Sequence, residues 1–252
     1  MITLKSKEQI EIMAEGGQML ARILRELKAM VAVGVTTLDL DAKARELILA
    51  AGCKPSFLHY HPYGAKRPYP YTLCSSINNG VVHGLPSDKP LNPGDIVKLD
   101  LGLIHKGLHS DSAITVALEP VAAEVSKLIH VTQTALHKGI EQVKIGNTLG
   151  DVGFAIAKEI RKGGFYIVDS LTGHGIGESL HEDPPVYNNG SKGKGITIEE
   201  GLVIAIEPMV AIGTSHVKQL KDDSFVSADG SMVAHFEHTV AATKQGPRIL
   251  TK

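Results

Sequence analysis

Between residues 7 and 31 the apolar positions Ile10, Met13, Leu20, Ile23, Leu24 and Leu27 recur close to every 3.6 residues, as on one helix face. The spacing predicts a helix there, with Ser6 as its N-cap. Gly34 ends that unit. A second helix is expected over 37–51, capped by Thr37 and stopped by Gly52. A Pro- and Tyr-rich stretch over 55–71 reads as loop. Strand-like runs follow at 75–82, 95–101 and 108–118. Helices are expected again over 121–143 and 149–162, and strands over 201–210 and 232–242.

The pattern repeats along the chain. A helix opened near Gly34 ends at Gly52, and one opened near Gly146 ends at Gly164, 18 residues on in both cases. Gly94 starts an apolar strand that ends in Asp100, and Gly201 starts one that ends in Glu207. These parallels predict one catalytic domain over 1–252, built from two related halves of roughly 1–120 and 121–252. Each half would be two helices followed by antiparallel strands. The expected class is α+β with pseudo-twofold symmetry, and a site between the halves would draw on both.

Five segments carry the candidate chemistry: Leu-Asp-Leu-Gly at Asp100, Ser-Asp-Ser at Asp111, Gly-His-Gly-Ile-Gly at His174, Ile-Glu-Pro-Met at Glu207 and Phe-Glu-His-Thr at Glu237. Each places one metal-binding group in an otherwise apolar or glycine-rich stretch. Buried carboxylates must be paired, coordinated or neutralised, and a pair of divalent cations would satisfy all five groups. Asp100 and Asp111 are equidistant from the turn candidate Ile104-His-Lys-Gly107, so they are expected to face each other across a hairpin. Glu207 and Glu237 share the midpoint 222, inside Lys221-Asp-Asp223. One imidazole beside four carboxylates suits Mn, Fe or Co more than structural zinc. His235 and His238 flank Glu237 and are expected on the opposite face, packing behind the ligands rather than ligating.

Composition narrows the class. Charge is balanced, 26 Lys+Arg against 27 Asp+Glu, which argues against partners found through a nucleic-acid or membrane field. No apolar run reaches the ~18 residues of a membrane span, and the N-terminus carries no signal-peptide pattern. Cys53 and Cys74 are the only cysteines, so no disulfide framework is expected and a cytoplasmic protein is the simplest reading.

The five segments, in this order, resemble the type I methionine aminopeptidases over essentially the whole chain. That resemblance implies the "pita-bread" fold shared with creatinase and proline-specific peptidases. It implies two divalent ions, with Co, Mn, Fe, Zn and Ni all admissible. Asp100 then resembles a bidentate ligand of one metal, Asp111 and Glu237 the shared carboxylates, and His174 and Glu207 the remaining ligands of the other. Glu207 also resembles the general base. His83, in Val-Val-His-Gly-Leu-Pro, and His181, in Leu-His-Glu-Asp-Pro, match the histidines that contact the scissile peptide and the tetrahedral intermediate. Phe57, Tyr60, Tyr69, Cys74 and His83 match a methionine pocket, and Asn78 matches a residue near a monovalent cation. The implied reaction removes the initiator methionine of nascent chains whose second residue is small, by attack of a metal-bridged hydroxide. Nascent chains, met at the ribosome, are the expected partners, and a monomer is expected.

The sequence departs from that pattern in three places. Residues 61–67 look like an insertion in the pocket loop, Ser224 stands where a tryptophan is frequent, and Asn79 replaces a frequent Glu. His174 and Glu207 are 33 residues apart, too close for the helical insertion of the type II enzymes. The expected unit starts within the catalytic core, without an N-terminal extension. The rivals are an X-Pro aminopeptidase or prolidase with the same ligands, and a metal-free binding module on the same fold.

Overall fold

A computed structural model describes residues 2–61 and 64–252 of the chain. Helix α1 spans Lys7–Met30 and buries Ile10, Met13, Leu20, Ile23, Leu24 and Leu27, the face that the periodicity selects. Ser6 caps it, and the Gln9 side-chain oxygen accepts in return from the Ser6 N–H. Helix α2 spans Thr37–Ala50, and its cap is Thr36, not Thr37. Asp39 decides between the two threonines: it lies three residues after Thr36 and closes a reciprocal box with it. Thr37 is already helical and bonds Ser87 instead.

Helices α3 (Ala123–Ile140) and α4 (Leu149–Gly163) occupy the second half. Thr148 and Asp151 cap α4 as Thr36 and Asp39 cap α2. Each of these starts is pinned from outside in the same way. Gly34 N–H bonds the Leu91 carbonyl, and Gly146 N–H bonds that of Ile198.

The first sheet has β3 (Ile96–His105) at its centre. Along one edge run β1 (Lys54–Pro55) and β2 (Leu73–Ile77), and along the other β4 (Leu108–Ala117). The strand expected over 75–82 stops at Ile77, because Asn78 takes a left-handed φ of 51° and Gly80 turns back to the Ile77 carbonyl. The second half builds a sheet in the order β14 (Gly246–Ile249), β13 (His238–Thr243), β8 (Val203–Ile206), β6 (Gly173–Gly175) and β7 (Glu182–Val186). A smaller sheet joins β12 (Val233–His235), β9 (Met209–Ala211) and β5 (Tyr166–Ile167). Strands β10 (Val217–Gln219) and β11 (Phe225–Ser227) pair by themselves. The runs expected over 201–210 and 232–242 are thus each broken at their acid, one at Glu207-Pro208 and the other at Phe236-Glu237.

The two largest apolar clusters follow the two halves. Helices α1 and α2 cover the first sheet through Leu20, Leu27, Leu40, Ile48, Leu99 and Leu101. Helices α3 and α4 cover the second through Leu136, Ile156, Ile160, Ile204, Ile206 and Val240. Ile114 of β4 packs against both.

Small hydroxyls stitch the seam between the halves. Glu237 N–H bonds the Ala113 carbonyl at 2.9 Å, and the Ser112 hydroxyl bonds the Glu237 carbonyl at 2.7 Å. The Thr239 hydroxyl accepts from Asp111 N–H and donates to the Asp111 carbonyl. The Thr115 hydroxyl does the same for His235. Backbone that leaves its own ladder at Glu237 is thereby satisfied across the seam. Among the described residues no helix is long and apolar enough to cross a membrane.

Candidate metal centre

All five predicted ligands line one cavity of about 490 Å³, together with Phe57, Tyr60, Tyr69, Cys74, His83 and His181. Asp100 and Asp111 come from the β3–β4 hairpin, but they do not lie opposite each other. The turn is Lys106-Gly107, with left-handed φ of 49° and 85°, and it pairs His105 with Leu108. Asp111 therefore faces Gly102, and Asp100 faces Ala113. The expected register was off by two residues. A shift of two keeps every side chain on its face, so the acids are diagonal neighbours on the same side.

The second hairpin keeps the register centred on 222. Val217↔Ser227, Met209↔His235 and Ile206↔His238 are all symmetric about that position. Glu207 and Glu237 stand opposite each other in the gap between two stretches of ladder. Pro208 has no N–H to donate there, and Glu237 has turned its backbone to Ala113.

His174 comes from the short strand β6, sandwiched between β8 and β7. The flanking glycines are a packing requirement. A Cβ on Gly173 would sit 2.2 Å from the Ala205 carbonyl oxygen, and one on Gly175 2.1 Å from that of Asp183. The His174 Nδ1 bonds the Gly175 carbonyl at 2.8 Å, so Nδ1 carries the proton and Nε2 is free to ligate. Donor atoms of Asp111, His174 and Glu237 lie within 4.8 Å of one another. Glu207 Oε1 is 3.6 Å from His174 Nε2.

The carboxylates are held against their charge. Asp100 Oδ1, Asp111 Oδ1 and Glu237 Oε1 are buried without a hydrogen-bond partner. No Lys or Arg of the described residues pairs with any of the four acids. Burial pushes Asp111 up to about 7. Burial first and the neighbouring acids second raise Asp100, Glu207 and Glu237 well above the usual carboxylate range. Burial also lowers His174 to about 4, which keeps it neutral and able to ligate. Orphaned oxygens, mutual repulsion and a neutral imidazole are the donor set that divalent cations fit.

The remaining predicted residues surround this group. The His181 ring stands edge-on to His174, 4.3 Å between centroids, and its Nδ1 bonds the Tyr60 hydroxyl at 2.7 Å. Burial, and then the neighbouring histidines, lower His181 to about 3. His83 faces the cavity beside the Phe225 ring, from a left-handed φ of 58°. The Tyr69 hydroxyl is anchored on the carbonyls of Leu73 and Gly84. Cys74 sits across the ladder from Asp100. Tyr60 and Tyr69 pair their backbones beneath the loop expected as an insertion, of which Pro62 and Tyr63 lie outside the described residues. Ser224 turns its hydroxyl back to Asp222. The carbonyl of Asn78 accepts from Val233 N–H and from the buried Lys98 ammonium, and its side chain bonds Asp95 and Ile96. Its polar atoms are engaged by the protein itself, which removes the support for a monovalent cation held there.

Sequence reasoning misplaced His235. Its Nε2 is 3.5 Å from Glu207 Oε2, inside the site region rather than on the opposite face. The signal was present: His235 and Glu237 are two residues apart, and strand alternation puts such positions on one face.

Residues 11–244 match the sequence profile of metallopeptidase family M24. A methionine aminopeptidase of Clostridium perfringens is 42% identical over 252 residues, covering 100% of this chain and 99% of that one. The chain belongs to the methionine aminopeptidases of family M24. The crystal structure of the enzyme from Rickettsia prowazekii superposes with a TM-score of 0.95 at 35% identity, with both chains fully covered. The prolidase from Pyrococcus furiosus shares the fold, with a TM-score of 0.77 at 23% identity over 99% of this chain and 65% of that one. The M24 assignment makes this a metal-dependent peptidase, and the pita-bread architecture is the one described above.

Proposed function

We propose that the chain releases the N-terminal methionine of polypeptides whose second residue is small, with Asp100, Asp111, His174, Glu207 and Glu237 holding two divalent cations. The observation that carries this reading is the meeting of those five groups in one cavity whose other wall is apolar and aromatic. Asp111, His174 and Glu237 form the tightest group, and Asp100 and Glu207 extend it on either side. When bound, such ions supply Lewis acidity and lower the pKa of water into the neutral range.

The protein's own residues do the rest. Glu207, buried and raised in pKa, takes a proton from the attacking water and returns it to the departing amine. His181, held by Tyr60, donates to the oxygen on which charge develops. His83 donates to the substrate near the scissile bond. The free α-amine would bind the second of the cations that these residues would hold, which restricts cleavage to the first residue. Phe57, Tyr60, Tyr69 and Cys74 present an apolar wall suited to an unbranched thioether.

A peptide panel tests the reading. With Mn(II) or Co(II) supplied, Met-Ala-Ser is cleaved to free Met, and Ala-Pro peptides are not. Absence of Met release, or preference for Ala-Pro, overturns it. His83→Ala should lower kcat by about 10²-fold while metal content is retained. Equal loss of both would make His83 a ligand or a structural residue.

A further inference from the structure

His235 is a buried group for which the reading above has no task. It ends β12 with 1% of its surface exposed, and neither ring nitrogen has a hydrogen-bond partner. An apolar side chain would fill this space without leaving two polar atoms unsatisfied. The buried Lys98 ammonium and His83 lie near the ring, and its closest carboxylate contact is Glu207. Its Nε2 lies 3.5 Å from Glu207 Oε2, while the other oxygen, Oε1, lies 3.6 Å from His174 Nε2. Two imidazoles thus bracket one carboxylate, each addressing a different oxygen.

The frame around this pair is fixed. The N–H and C=O of His235 are both held by the Thr115 hydroxyl. The Glu207 carbonyl accepts from Asn188 Nδ2 at 3.0 Å. With both backbones tied, only the side chains adjust, and a closure of about 0.5 Å brings Nε2 and Oε2 to ordinary hydrogen-bond distance. Facing Glu207 ionised, as a metal ligand is, a bare lone pair would repel the carboxylate, so Nε2 is the nitrogen that carries the proton.

We propose that His235 is a positioning residue: its Nε2–H holds Glu207 Oε2, so that Oε1 is the oxygen turned toward the Asp111–His174–Glu237 group. This rests on the reading of Glu207 as metal ligand and proton carrier. Groups one shell behind a ligand set its orientation and basicity, and their loss costs metal affinity as well as rate.

Three variants test it: His235→Leu, His235→Asn and His235→Gln. Glutamine carries an N–H at about the reach of Nε2, while asparagine stops short and leucine has none. Co(II) affinity and the Co(II) visible spectrum are measured by titration of metal-free protein. Turnover of Met-Ala-Ser and the thermal midpoint of the metal-free protein are measured beside them. The Leu and Asn variants should lose about 10- to 100-fold in Co(II) affinity and kcat, with a smaller change in KM. The Gln variant should stay within about fivefold of wild type, its N–H replacing that of the ring. Leu and Asn variants that match wild type overturn the proposal. So does a Gln variant that falls with them, whether its unfolding midpoint is kept or lost. If the Leu variant fails to fold, the Gln and Asn pair decides. A wild type that binds Co(II) but releases no Met defeats the functional reading alone, since the Co(II) affinities still judge His235. A wild type that binds no Co(II) defeats the metal centre before any variant is made.

Discussion

In the β3–β4 hairpin the ladder runs unbroken past Asp100 and Asp111, whereas in the hairpin centred on residue 222 pairing stops on either side of Glu207 and Glu237. The first hairpin closes in a two-residue turn that needs positive φ at both positions, and that turn sets its register. The second closes over Leu220–Ser224, with Leu220 N–H bonded to the Ser224 carbonyl, and keeps its symmetry through three separate stretches of pairing. A continuous ladder presents its acids as diagonal neighbours. A gapped one presents them face to face and frees the backbone of Glu237 to pair with Ala113 of the first hairpin. The break in the second half is what joins it to the first.

The largest effect separates the acids of the first hairpin. Asp111 belongs to the close group with His174 and Glu237, and Asp100 does not. Asp111→Asn should abolish metal binding and cut activity by more than ~10²-fold, beyond what an outer partner costs. Asp100→Asn should keep one tight equivalent of Mn(II) or Co(II). Equal loss of metal in both variants, read by titration, would show that the two acids are not distinguished in this way.

The seam comes next. Thr239→Val orphans both the N–H and the C=O of Asp111, at a cost of about 2–3 kcal/mol. Ser112→Ala removes one bond to the Glu237 carbonyl and should cost about 1 kcal/mol. Urea unfolding ranks the two, and a reversed order would mean that the seam is held elsewhere.

Metal-free protein should also lose stability as pH rises above about 7.5. Asp111, raised to about 7, binds a proton in the folded state that the unfolded chain has already released. Between pH 6.5 and 8 that group alone costs roughly 1 kcal/mol, and the other raised acids add to it. The histidines lowered to about 3 or 4 act in the opposite direction. Their contribution grows with pH through their ordinary value near 6.5 and is complete by about 7.5, above which they are neutral in both states. Thermal midpoints above that pH should fall without metal, as the acids raised furthest release their protons, and stay level with Mn(II). A level metal-free curve would mean that burial does not hold those acids protonated in the folded state.

The smallest effect compares the turns. Gly107→Ala, at φ 85°, should cost about 1 kcal/mol or slightly more. Lys221→Ala, exposed in the longer turn, should stay within about 0.5 kcal/mol. Equal costs would show that the tight turn does not set the register of its hairpin.

By itself the sequence determined the helices, whose apolar period marks the buried face; it also held the Thr36–Asp39 capping box, which the expectation at Thr37 missed by one residue. It determined that five metal-binding groups, four acids and one imidazole, fall in otherwise apolar or glycine-rich segments. It also located the centre of the second hairpin, because a ladder that holds register obeys simple symmetry. Tertiary structure decided which acids are neighbours. The positive φ angles at Lys106-Gly107 moved the first register by two, a shift that leaves faces and periodicity unchanged and so is silent in the sequence. Tertiary structure also set the contact of His235 with Glu207, which depends on pairing between β9 and β12 and on the seam at Thr115. Periodicity reports which side of one element is buried; which two side chains meet there depends on how separate elements are placed against each other.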